Sequence, residues 1–157
     1  MKKIFWVASY PRSGNTWMRA ILSSLFFTEE GKFNFNLLNH IRHFENAERY
    51  DFVRTLNMDD FSKLNELPVI AKYWLEAQER INKSEDFAFF KTHSGNVTLN
   101  KHKYTNEENV LGLIYLVRDP RDVVVSYSKY LDKSINDIIA TITNKNAVAY
   151  GGLRGKR

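Results

Sequence analysis

The chain has 157 residues, 43% hydrophobic and 14% aromatic, with a formal net charge of +5 and no cysteine. That length suits one domain able to bury roughly two-thirds of its unfolded surface, and the apolar content excludes a disordered chain. The missing cysteine excludes disulfides, thiolate nucleophiles and cysteine-held metal clusters and fits a cytoplasmic location, while the positive charge favours anionic ligands.

Met1-Lys2-Lys3 and the apolar run to Ala8 superficially resemble a signal peptide. The run breaks at once into Tyr10-Pro11-Arg12, so a core strand is the better reading. No segment is long enough to span a bilayer. No repeat and no interleaved basic-aromatic motif is present, and nucleic acid is not an expected partner.

Residues 4–9 read as a buried strand, short, aromatic and β-branched. Ser9-Tyr10-Pro11-Arg12-Ser13-Gly14-Asn15-Thr16-Trp17 then forms a tight polar loop. Apolar residues at Trp17, Ile21 and Leu25 and at Met18 and Leu22 mark an amphipathic helix after it. Strand, Gly-containing loop and helix together aim backbone N–H groups at an anion. Arg12, Ser13, Asn15 and Thr16 add donors, and the helix N-terminus adds partial positive charge. Against the nucleotide-triphosphate pattern G-x-x-x-x-G-K-[ST], Ser9 takes the place of the first Gly and Gly14 and Thr16 match, but Asn15 replaces the lysine. The cation stands three residues earlier, at Arg12. The plainer alternative is an ordinary strand-to-helix turn capped by Asn15 or Ser13.

Glu29-Glu30-Gly31 ends the first helix, and a mixed aromatic region runs to about Leu67. Asp59-Asp60 is expected to start a short helix, Asp60 to Leu67, stopped before Pro68. Ile70, Tyr73, Trp74, Ala77 and Ile81 place a second helix over Val69 to Asn82. A strand over 86–91 follows, with Lys91-Thr92-His93 at its C-terminal end, the edge of a parallel sheet where ligands bind. Lys91 and His93 are two residues apart and so share a face. Lys91 can neutralise developing charge beside His93 as a general base; standing by itself, His93 would read rather as a surface or satisfied loop histidine. His40, His43 and His102 have no such setting and are assigned no role.

A third strand over 111–117 ends in Arg118-Asp119-Pro120-Arg121-Asp122. Asp119 is the expected N-cap and Pro120 the first residue of a helix whose valines suggest packing on a sheet. Arg118 and Ser126 can converge on one phosphate, or Arg118–Asp122 and Asp119–Arg121 simply pair. Ser134 caps a helix from Ile135 to Ile142, and residues 144–157 read as loop or frayed tail.

Three of these stretches, in order, resemble the sulfotransferase family that uses 3′-phosphoadenylyl sulfate (PAPS). Tyr10-Pro11-Arg12-Ser13-Gly14-Asn15-Thr16-Trp17 is similar to its 5′-phosphosulfate loop, usually YPKSGTTW. Lys91-Thr92-His93 resembles the K-T-H segment, whose His is the base, and Tyr115 to Tyr127 resembles the 3′-phosphate site, whose Arg and Ser correspond to Arg118 and Ser126. The resemblance implies a P-loop NTPase-like three-layer α/β/α fold with a parallel sheet. It also implies sulfuryl transfer to a hydroxyl or amine, with catalytic His93, Lys91 and Arg12. The implied donor-binding residues are Arg12, Ser13, Gly14, Asn15, Thr16, Trp17, Arg118 and Ser126, with PAPS as co-substrate and no metal. Arg12 departs from the usual Lys: it stays charged but does not readily donate a proton.

Family members continue with helices that close over the nucleotide and a late R-K-G segment. Nothing here matches that segment, so the resemblance covers the N-terminal part of the family domain, and the expectation is a single truncated domain over 1–157. A fragment, a minimal variant and a chain completed by a partner all fit. Rival readings are a non-catalytic PAP- or PAPS-binding remnant, a P-loop kinase lacking its lysine, and a basic interaction module. Acceptor and oligomeric state are not identified by the sequence.

Overall fold

The structure is a computed structural model that describes residues 3–84 and 87–145. At its centre is a four-stranded sheet of β1 (Ile4–Ser9), β2 (Arg42–His43), β3 (Ala88–Thr92) and β6 (Val110–Leu116), in the order β2-β3-β1-β6. Every neighbouring pair is parallel. A two-stranded antiparallel ribbon, β4 (Thr98–Leu99) with β5 (His102–Lys103), stands apart. The strand between two neighbours must be apolar on both faces, and Ile4, Trp6, Val7 and Ala8 of β1 are all buried. The α/β parallel-sheet class expected from the sequence is the class observed.

Alternation along the strands feeds two cores. Val7 and Phe89 pack with Leu22 and Ile41 on the side of α1 (Asn15–Phe27). Ile4, Trp6, Ala88 and Phe90 pack with Trp74, Ala77 and Ile81 of α5 (Trp74–Ser84) on the other side. Helices on both faces of one sheet make the three layers. Residue β6 Gly112 sits where a one-residue register shift lets Phe5 lie over it, and an added Cβ would meet the Phe5 ring at 2.4 Å. Gly112→Ala is therefore expected to cost about 1–3 kcal/mol of stability by overpacking, read as a lower denaturant midpoint at unchanged slope.

The helix expected over Asp60 to Leu67 is not formed. Instead α2 (Val53–Leu56) and α3 (Met58–Ser62) precede a turn, and Pro68 lies in the first turn of α4 (Leu67–Ala71). Proline needs no N–H partner there, so it opens this helix rather than stopping the previous one. The helix expected over Val69 to Asn82 is split between α4 and α5. At the break, the Lys72 and Tyr73 amides donate to Val69 and Ile70, three residues back. Both side chains reach Asp60 of α3, Lys72 Nζ at 3.0 Å and Tyr73 Oη at 2.8 Å. Two helices, with the residues between them gripping one distant carboxylate, replace a single continuous one.

The remaining elements follow the sequence closely. Asp119 caps α6 (Pro120–Leu131), its carboxylate accepting from the Arg121 amide at 2.9 Å, and Ser134 caps α7 (Ile135–Thr143). Val123, Val124 and Ile138 are their buried residues. On α1 the two apolar stripes divide: Leu22 is buried and Met18 packs against that core, whereas Trp17, Ile21 and Leu25 face outward. Tail residues from 146 onward lie outside the described residues. No described helix is long and apolar enough to cross a membrane.

Candidate active site

Three loops meet at the C-terminal edge of the sheet, where β1, β3 and β6 release the chain in one direction. The first is Tyr10–Gly14, between β1 and α1. The Ser13 amide donates to the Tyr10 carbonyl at 3.3 Å and closes the turn. Gly14 caps α1 at φ 96 without a side-chain cap bond, so neither Asn15 nor Ser13 plays the capping role. A left-handed backbone at this point suits glycine. Arg12 also lies in the left-handed region, at φ 68, which costs a side-chain-bearing residue about 1–3 kcal/mol.

Contacts from across the site hold that strained residue. Arg118 Nη1 donates to the Arg12 carbonyl at 3.1 Å, and Arg12 Nε donates to Ser126 Oγ at 3.0 Å. The Arg12 guanidinium also lies 4.9 Å from the centre of the Tyr130 ring. Arg12 lies 106 residues from Arg118 and 114 from Ser126 in the chain, and the three form one cluster, the two arginines exposed and Ser126 half-buried. The alternative pairings form as well: Arg121 grips Asp119 at 2.6 Å, and Arg118 Nε stands 3.7 Å from Asp122. These pairs are exposed and contribute little stability, so Arg118 remains a usable cation. A groove of about 210 Å³ joins the loop at Tyr10 and Ser13 to Val117, Arg118 and Ile142.

Asn15 points elsewhere. Its Nδ2 donates to the Val7 carbonyl at 3.0 Å and to Ser9 Oγ at 3.1 Å, so the side chain ties α1 to the end of β1. Only its backbone is placed to add to the helix N-terminal field. Thr16 and Trp17 are exposed, Trp17 at 78%.

The second loop carries His93. The register pairs Ala8 with Thr92, which sets the next residues, Ser9 and His93, side by side. His93 Nδ1 donates to the Ser9 carbonyl at 2.7 Å and lies 3.2 Å from Ser9 Oγ. A carbonyl can only accept, so the proton is on Nδ1 and the lone pair is on Nε2. Burial pushes His93 down to about 4, and the nearby Lys91 and His43 add to this, against the opposing pull of the Ser9 carbonyl and Glu45. The ring is neutral at physiological pH. Lys91 pairs with Val7 across the strands and is only 9% exposed. Strand alternation places it on the α1 side, the side on which His93 meets Ser9.

Beside His93 lies a group that sequence reasoning missed. The His43 and His93 rings are 5.8 Å apart, edge to face, and His43 Nδ1 is 3.5 Å from Glu45 Oε2. Glu45 Oε1 accepts from Thr92 Oγ1 at 2.8 Å, Ser94 Oγ at 3.0 Å and Tyr104 Oη at 3.0 Å. Burial alone would raise the Glu45 carboxyl, but the hydrogen bonds from His43 and Thr92 outweigh it and hold it at about 2. His43 and Glu45 were not legible because β2 is two residues long and carries no periodicity. Among the described residues, no three His, Asp or Glu side chains gather into a metal-holding group.

The arrangement gathers the Arg12 and Arg118 cations at the start of α1, on the same sheet edge as an imidazole whose Nε2 carries a lone pair. A comparison with curated proteins yields no match. A family model described as the sulfotransferase domain matches residues 2–146, spanning the loop, the Lys91–His93 segment and the Arg118–Ser126 segment alike. The chain belongs to the sulfotransferase domain family.

Proposed function

We propose that residues 1–157 form a single domain that transfers a sulfuryl group from PAPS to a hydroxyl or amine acceptor, with His93 as general base. The observation that carries this reading is the juxtaposition of an Nδ1-protonated, neutral His93 with the strained Arg12 loop at one sheet edge. In this reading Arg118 and Ser126 hold the 3′-phosphate, as charge-assisted donors already gathered around Arg12. Arg12 and the amides at the start of α1 hold the 5′-phosphosulfate. The exposed Trp17 indole offers a face on which a nucleobase can stack.

The donor supplies the sulfuryl group and departs as PAP. His93 Nε2 takes the acceptor proton as the acceptor oxygen or nitrogen forms its bond to sulfur, and Nδ1–H stays on the Ser9 carbonyl, which stabilises the imidazolium. In this reading Lys91 and Arg12 stabilise the negative charge that grows on the transferring group and on the bridging oxygen. A cytoplasmic location, where the thiol-free composition is no handicap, completes the reading.

Calorimetric titration of the folded chain with PAP tests it. Binding is expected, and Arg118→Ala is expected to weaken it about 10- to 100-fold, the size of a lost charge-assisted hydrogen bond. No heat of binding from a chain shown to be folded would overturn the donor assignment.

A further inference from the structure

We propose that Glu45 is the positioning residue of the His93 base, because its carboxylate grips both chain neighbours of His93, Thr92 and Ser94, and also the ring of His43 on which His93 packs. Four contacts converge on this one side chain. Thr92 and Ser94 donate from either side of His93 at 2.8 and 3.0 Å, Tyr104 donates from beyond the β4–β5 ribbon at 3.0 Å, and His43 approaches from β2 at 3.5 Å. The Ser94 amide adds a bond of 2.9 Å to Thr92 Oγ1, which tightens the same turn. Two strand ends, of β2 and β3, and one ribbon are therefore tied together beside the imidazole.

The tie has a purpose that core packing does not explain. A hydrogen-bonded buried carboxylate stabilises a fold no better than well-packed apolar side chains of similar volume, so its presence argues for fixing a geometry. What it fixes is the backbone on both sides of His93. His93 has two further supports, the Ser9 carbonyl on Nδ1 and the ring of His43. Glu45 governs the second directly, and it governs the first by setting where the turn after β3 holds the ring. Loosening Glu45 releases His93 from Ser9, and the proton then redistributes between Nδ1 and Nε2. A protonated Nε2 has no lone pair for an acceptor proton.

The inference rests on reading His93 as the base, and the test separates the two. The ring nitrogens of ¹⁵N-labelled His93 report the tautomer directly at pH 7. Wild type is expected to show one species, with the proton on Nδ1. Glu45→Gln keeps the shape and one acceptor oxygen but loses the charge and turns the other oxygen into an NH₂ donor, and is expected to give a mixture with a detectable Nε2–H fraction. Should Glu45→Gln fail to fold, Ser94→Ala removes one grip at a half-buried site and is expected to give a smaller admixture. In turnover assays with a responsive acceptor, kcat for the glutamine variant is expected to fall about 10- to 100-fold, with the KM for PAPS unchanged. An unaltered Nδ1–H tautomer in folded Glu45→Gln, or in Ser94→Ala if the former is unfolded, overturns the proposal. If His93→Ala keeps full activity the base reading fails, yet the nitrogen spectra still decide whether Glu45 positions the ring.

Discussion

Replacing His93 with alanine is expected to lower kcat for sulfuryl transfer by about 10²- to 10⁴-fold, the usual contribution of a positioned base. PAP affinity should stay close to wild type, because the cradle at Arg12, Arg118 and Ser126 is built from other elements. The pH profile of the wild-type chain sharpens the test. An ordinary histidine titrates near 6.5, and His93 is held down to about 4. The base is thus neutral and competent above that value, and activity should fall as pH drops through about 4. The sign also bears on stability. The unfolded chain takes up this proton near 6.5 and the folded chain only near 4, so acidification across that window favours unfolding. Separating the two effects takes a folding measurement beside the rate measurement. A profile whose acid limb lies near 6.5 in a fully folded chain would mean that His93 is not held as described, and full activity of His93→Ala would remove it from the mechanism.

At Arg12, two variants are expected to lose PAP affinity alike and to differ in stability. The residue is left-handed at φ 68, and its side chain reaches Ser126 while its carbonyl receives Arg118. Arg12→Ala keeps the backbone strain and loses the side-chain contacts. Arg12→Gly loses the same contacts but relieves the strain, so it should be more stable than the alanine variant by about 1 kcal/mol. Both should lose PAP affinity by about 10- to 100-fold, since each removes a charge-assisted donor. Thermal unfolding and calorimetry on the two variants check this pair of outcomes. Equal stability of the two would show that the left-handed backbone at residue 12 carries no cost. Unchanged affinity would take Arg12 out of the donor site.

Both predictions depend on a strand edge where side chains from distant parts of the chain converge. Local grammar made much of that edge legible. The buried strand Ile4–Ser9 and the half-exposed edge strand Val110–Leu116 both show as short apolar runs, and the caps at Asp119 and Ser134 work within a few residues of themselves. The parallel sheet, the cradle loop and the Lys91–His93 segment follow from patterns no longer than nine residues. Family membership follows from three such patterns in order, and the match over residues 2–146 agrees with it.

Tertiary contacts decided the rest. Nothing around Lys72 and Tyr73 announces a break, which goes with their joint grip on Asp60 of α3. The apolar pattern of α1 offers two stripes, and the sheet buries the Leu22 stripe while leaving Trp17 outward. Asn15 looked like a donor to an anion, but Val7 and Ser9 hold its amide inward. His43 and Glu45 are unremarkable in the chain and become a pair behind His93 only when β2 adds to the edge of β3. Residue type and short-range spacing determine where strands, turns and caps form, because those preferences are local. Which side chains face each other across 50 to 100 residues is set by sheet order and register, and those are properties of the folded chain alone.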